Sequence, residues 1–258
     1  MRCRQENSIR ALPFLVVACL CLVLPAGRAF TPDLPKELTL SVVEGTPGLT
    51  DGPTRVLLAA YRCLGVEVKV RGLPNLRGVA VAKDGQVDGD VVRLASYERT
   101  APDLVRVPTP MVEQVVYAPF ILRGQERDLS SLEKLASSGL RIGVRLGVQI
   151  IDGTPLSGHV AAMPTSYPAA FKMLLSDRLD IVLAPTDMWQ SVQATLPSEF
   201  HEAAQRVVRL APVLSLPAFH YLHARWGALV PVIDAQLQRM KNNGSSARLL
   251  KQDGKAQC

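Results

Sequence analysis

The chain has 258 residues, 48% of them apolar and 20% charged, with a formal net charge of +6. This length and apolar content suffice to bury the core of one large domain or two lobes, and they exclude a wholly disordered chain. The basic excess contains no run of consecutive lysines or arginines, so it gives no ground for a nucleic-acid partner.

Residues 1–29 read as a secretory signal. Arg2, Arg4 and Arg10 precede the uncharged Ala11–Gly27, and the small Gly27 and Ala29 flank Arg28 ahead of Phe30. The apolar run is short for a bilayer span, and a retained anchor is the alternative. Cleavage and acylation at Cys19, within Val16-Val17-Ala18-Cys19, is another. Loss of this segment removes four arginines and Glu6, which lowers the net charge from +6 to +3. It also leaves Cys63 and Cys258 as the remaining cysteines. An exported chain meets an oxidising compartment where two thiols can pair. Pairing needs a geometry that sequence does not carry, so the bridge stays open at this point. No CxxC or Cys/His spacing calls for a metal, and no cofactor is expected.

From Leu38 the pattern alternates strand and helix. Leu38–Gly45 reads as a strand. Asp51 and Pro53 open a helix that stops at Gly65, and Val66–Val70 alternates as a strand does. Pro74 opens a second helix with Leu76, Val79, Ala80 and Lys83 on one face, and Val87–Val92 is a buried strand. Leu104–Pro110 and Glu113–Leu122 are extended, with prolines that suggest passage between units. The pattern then restarts. Ser130 and Glu133 form a capping box, and Leu140–Leu146 is a strand ended by Gly147. Gly158–Pro164 is a weaker strand, Pro168 opens a helix, and Leu179–Pro185 is buried. Thr186 or Asp187 caps the next helix. The strand Ala218–Ala224 precedes a helix with Leu229, Val232, Ile233, Leu237 and Met240 on one stripe. A short helix follows Gly244. Alternating units of this kind imply parallel strands with helices on both faces.

One sentence of this grammar is written twice. Lys83–Arg93 and Ser176–Pro185 each place a polar turn, an apolar residue, an aspartate (Asp88, Asp180) and an apolar run after a helix. They mark the closing helix-to-strand passage of two lobes, although many helix-to-strand loops look alike.

In order and spacing these motifs resemble the bacterial extracellular solute-binding proteins of family 3, the amino-acid binders of ABC importers. The resemblance is carried by Gly85-Gln86-Val87-Asp88, Glu98-Arg99, Val107–Pro110, Asp128-Leu129, Ile142–Val144 with Gly147, and Leu175–Asp180. It implies an α/β, two-lobed, periplasmic binding protein-like (type II) fold with mostly parallel sheets and two hinge crossovers. Lobe one would comprise 36–112 plus 214–258, and lobe two 113–213. The protein would be a periplasmic monomer closing over a small polar solute, with an ABC permease in the inner membrane as possible partner. In the family a carboxylate-clamping arginine lies at the position of Arg99, and Arg93 at the end of the buried strand is the alternative. A guanidinium suits a carboxylate because it offers two parallel donors. Glu44 matches a position that supports an amino group. Arg145, Gly147 and Gln149 follow the first strand of lobe two, and Asp187 lies near the family's ammonium-binding aspartate. The departures are Val148-Gln149 where the family carries hydroxyls, and the offset of Asp187. They direct the expectation toward a carboxylate-bearing solute rather than an α-amino acid specifically.

Other classes on the same fold remain: a periplasmic dehydratase of the cyclohexadienyl type, with Glu44 or Asp187 as acid or base, and a binding lobe for a signalling partner. There is no GxSxG, HExxH or phosphate loop. His220 and His223 lie on a strand at a spacing that puts them on opposite faces, which disfavours a metal pair.

Overall fold

The computed structural model describes residues 33–251 and Cys258. The proposed signal, residues 1–29, lies outside the described residues.

The first half contains β1 (Glu37–Val43), α1 (Pro47–Cys63), β2 (Glu67–Leu73), α2 (Asn75–Lys83) and β3 (Gly89–Leu94). The long strand β4 (Leu104–Leu122) leads to α3 (Leu132–Ser137), β5 (Ile142–Val144), β6 (Val160–Ala162), α4 (Tyr167–Leu175) and β7 (Ile181–Pro185). Then come α5 (Met188–Gln193), α6 (His201–Ala204), β8 (Val207–Arg209), β9 (Leu214–His223), α7 (Val230–Asn242) and α8 (Ser245–Leu250). The strand order is β2-β1-β3-β9-β4-β7-β5-β6, with β8 also on β4. Strands β1, β2 and β3 pair parallel, as do β5, β6 and β7. Every antiparallel pairing involves β4 or β9. Two parallel lobes are therefore joined through two antiparallel crossover strands, a two-lobed α/β architecture.

Prolines shape the crossover. The β4–β9 register shifts between Arg106 and Pro110, again by Val112, and again by Val115. Pro108 and Pro110 have no N–H to give the ladder, so the strand bulges there instead of pairing evenly. A strand that expectation divided into two segments is thus one strand of 19 residues whose pairing with β9 is broken by bulges.

Three local expectations are corrected. Helix α1 begins at Pro47, behind Thr46, one turn ahead of the Asp51 and Pro53 signal. Ser131, not Ser130, caps α3 by accepting the Lys134 N–H at 3.2 Å, while Ser130 donates to Asp128. Helix α2 buries Gly78, Val81 and Ala82, not the face of Leu76, Val79, Ala80 and Lys83. Leu76 and Val79 instead face a cavity between the lobes. An apolar stripe marks removal from bulk water and does not distinguish a core from a cavity wall.

The repeated sentence has one structural role in both lobes. Asp88 Oδ2 accepts the N–H of Thr39 on β1 at 2.7 Å, and Asp88 N–H donates to Thr39 O. Asp180 Oδ2 accepts the N–H of Arg141, just before β5, at 2.7 Å, and Asp180 N–H donates to Arg141 O. Each aspartate closes the start of a parallel pair, where a strand N–H would otherwise lack a partner. Arg225 and Trp226 Nε1 also donate to Asp88, while Arg141 grips Asp180. Burial pushes the Asp88 carboxyl up, but the donors from Thr39, Trp226 and Arg225 outweigh it and hold the group below its ordinary value.

Cys63, the last residue of α1, is bridged to Cys258, with Cα atoms 5.2 Å apart. The bridge closes a loop with a sequence separation of 195, so it restricts the unfolded chain strongly. Cys63→Ser is expected to lower unfolding free energy by about 3–5 kcal/mol. Urea titration of the oxidised parent, the reduced parent and the variant checks this. Reduced parent and variant should coincide at a lower midpoint, and three superimposable curves would refute a stabilising bridge.

Candidate functional site

A cavity of about 170 Å³ lies where strands end and helices begin. Its walls come from the C-terminal ends of β1, β3 and β5 and the N-terminal ends of α1, α2 and α4. Val112, Val115 and Tyr117 of the crossover strand β4 also line it. This is the place where open parallel sheets take ligands and where helix N-termini offer N–H groups to anions.

Arg93, near the end of β3, is 7% exposed and lines the cavity. Its Nη2 donates to Asp90 Oδ1 at 2.9 Å, its Nη1 donates to Asn75, and its guanidinium lies 4.9 Å from the Tyr97 ring centroid. In a regular strand, residues three apart point to opposite faces. Here the β3–β9 register shifts between Asp90 and Arg93, and that bulge brings acid and base together. Asp90 is fully buried and also accepts from Ser41 Oγ and from the Tyr97 hydroxyl at 2.5 Å. Gly78 of α2 makes room for this pair, because a Cβ there would stand 2.6 Å from Arg93 Nη2. Arg93 Nε is buried with no hydrogen-bond partner.

Arg145 follows β5 from the other lobe and is 6% exposed. It makes two long bonds, Nη2 to Glu44 O at 3.4 Å and Nε to Thr165 O at 3.5 Å, and lies 5.3 Å from the Tyr167 ring centroid. Among the described residues it has no carboxylate partner. Burial lowers its pKa, and the nearby charge of Arg93 acts in the same direction. The Tyr117 and Tyr167 hydroxyls hydrogen-bond each other, and burial pushes Tyr167 up to about 12. Burial raises Tyr97 and Tyr117 as well.

Contacts between the lobes surround the cavity. Asn75 Nδ2 donates to Leu146 O at 3.2 Å, Arg99 Nη2 donates to Gln149 O at 3.4 Å, and Thr100 Oγ1 donates to Gln149 Oε1 at 3.5 Å. Gly147 has φ +77°, and a Cβ there would lie 2.6 Å from Asn75 Nδ2 and 2.8 Å from Leu76 Cδ2. Both the left-handed turn and the close approach of the lobes exclude a larger residue.

Of the residues expected from sequence, Arg93, Arg145, Gly147 and Gln149 line this cavity, and Glu44, Arg99 and Asp187 do not. Arg99 is exposed at the rim, because Tyr97 is the inward residue of the turn Ala95–Arg99. Glu44 turns its carboxylate toward Gly72 and offers only its carbonyl to Arg145. Asp187 is exposed in a larger groove of about 750 Å³, which adjoins the cavity at Leu49, Val112 and Val115. Sequence reasoning missed Asn75, Tyr97, Tyr117 and Tyr167. It also missed Asp90, although an acid inside the buried run Val87–Val92 is a signal that a cation must face it.

No family model matches the chain. An uncharacterized protein of Shewanella oneidensis is 27% identical over 198 residues, 75% of this chain and 72% of the relative. An ancestral arginine-binding protein bound to glutamine superposes with TM-score 0.67 at 18% identity, over 85% of this chain and 98% of the other. A histidine kinase sensor domain with similarity to periplasmic binding proteins gives 0.68 at 14% identity, over 84% and 96%. An amino acid ABC transporter substrate-binding protein of Streptococcus pneumoniae bound to L-arginine gives 0.63 at 13% identity, over 84% and 94%. The fold is that of the type II periplasmic binding proteins. Among the described residues no helix is long and apolar enough to cross a membrane.

Proposed function

We propose that this chain is a periplasmic solute-binding protein, monomeric, that closes its two lobes over a small carboxylate-bearing solute and hands it to an ABC-type importer. The observation that carries the reading is the pair Arg93 and Arg145, one from each lobe, buried against the same cavity. Arg145 has no carboxylate partner among the described residues. A buried cation without a counter-ion is unfavourable by itself, so an anion bound between the lobes would relieve it. The solute would then contact both lobes only when they are closed, which is the differential interaction that ligand-driven closure requires.

Binding is placed ahead of turnover because the titratable groups lining the cavity are two arginines and three tyrosines. Neither Glu44 nor Asp187 stands there to act as acid or base. Likeness to a kinase sensor domain favours a second reading, in which the same closure signals to a separate partner chain. Thermal melting with a panel of amino acids and organic acids tests the shared core of both readings. A ligand at about a hundredfold over its Kd adds about 2.7 kcal/mol, a rise of roughly 5–10 °C in Tm for a fold of this size. A panel that leaves Tm unmoved refutes solute binding.

A further inference from the structure

We infer that the solute is a small monocarboxylate with an apolar body and no ammonium group, an inference that rests on the solute-binding reading above. The charge balance of the cavity carries it. Its charged lining groups are Arg93 and Arg145. The charge of Arg93 is already matched by Asp90. One positive charge is left over, on Arg145, and it calls for one negative charge. A dianion would bring a second charge with no cation to meet it.

An α-ammonium group finds no acid to receive it. Asp90 is occupied on both oxygens, Oδ1 by Ser41 and Arg93 and Oδ2 by Tyr97. Glu44 and Asp187 lie outside the lining. An ammonium carried beside the bound carboxylate would therefore add a positive charge near Arg145, with no lining acid left free to meet it. A carboxylate, by contrast, meets the unpartnered Arg93 Nε and the loosely bonded Arg145.

The remaining walls select the body of the solute. Leu49, Leu76, Val79, Val112, Val115 and Val148 are apolar, which favours a hydrocarbon over an inorganic anion. The cavity, at about 170 Å³, is below the range of about 300–1,000 Å³ typical for drug-sized ligands, so the body is compact.

Isothermal titration of the intact oxidised protein at neutral pH tests this with matched pairs that differ by the ammonium. The pairs are isovalerate with L-valine, isocaproate with L-leucine, and hydrocinnamate with L-phenylalanine, with glutarate and inorganic phosphate as further arms. At least one des-amino acid should bind at least about tenfold tighter than its amino-acid partner, than glutarate and than phosphate. Equal or tighter binding of the amino acids overturns the inference while leaving solute binding intact. Tighter binding of glutarate overturns the single-charge assignment, and tighter binding of phosphate overturns the apolar body. Failure of all the monocarboxylates while another solute raises Tm overturns the inference alone. Failure of every compound in the broad melting panel removes the solute-binding reading itself.

Discussion

Arg145→Met is expected to abolish ligand binding without destabilising the free protein. Arg145 is buried, its hydrogen bonds are long, and no carboxylate lies within ion-pair distance among the described residues. Methionine keeps much of the volume and removes the charge. Removing a buried charge that has no counter-ion relieves its desolvation cost, so the free protein should keep or gain stability. Binding should move the other way. Truncating one side of a buried charge pair costs about 2–5 kcal/mol, at least about thirtyfold in Kd. The same variant therefore separates the two roles: Tm of the free protein holds or rises while affinity collapses. Measured together by melting and titration calorimetry with the best-binding monocarboxylate, these quantities decide the matter. An affinity within about threefold of the parent would remove Arg145 from the site. A large fall in the free protein's Tm would mark it as structural.

The second large effect concerns pH. His220 is fully buried behind the Arg93–Asp90 pair. Its Nδ1–H donates to Asp90 O at 2.7 Å, because a carbonyl can only accept, and its Nε2 accepts from the Tyr61 hydroxyl at 2.8 Å. Burial lowers its pKa to about 4, against an ordinary 6.5, even though the contacts with Asp90 favour the charged form. In the unfolded chain the ring takes a proton near pH 6.5, and in the folded protein only near 4. Its contribution to stability is therefore complete above about pH 6.5 and is lost progressively as pH falls to about 4, by roughly 3 kcal/mol in all. His220→Asn keeps a donor for Asp90 O and cannot titrate. The variant should be less stable at pH 7 by about 1–3 kcal/mol, from the unsatisfied Tyr61 hydroxyl and lost packing. Its stability should vary less between pH 6.5 and 4 than the parent's. Urea midpoints at several pH values check this, and parallel curves for the two proteins would exclude His220 as the source.

Chain-local physics made much of the fold legible. Turn glycines, helix-opening prolines and short apolar runs repeat with the period of alternating strands and helices, and each is a property of a few neighbouring residues. The paired aspartates Asp88 and Asp180 were legible as a repeat, and the structure assigns them to closing the start of the β1–β3 and β5–β7 parallel pairs. The site was legible only in part, because its members meet through contacts between residues distant in sequence. Arg93 pairs with Asp90 through a bulge that depends on β9, a strand more than a hundred residues away. Leu76 and Val79 were legible only as members of one helix face, and they wall a cavity that exists only when α2 meets the loop at Gly147.

By itself, then, the sequence determined most of the alternation of strands and helices, though not α6 or β8, together with the two-lobed α/β plan and the proline-marked crossover, since local propensity and hydrophobic period encode these. Only the tertiary structure decided which arginines are buried together, that Asp187 belongs to a neighbouring groove, and that Cys63 meets Cys258. Burial, charge compensation and disulfide geometry are properties of atoms brought together by the whole chain, and no short stretch of residues carries them.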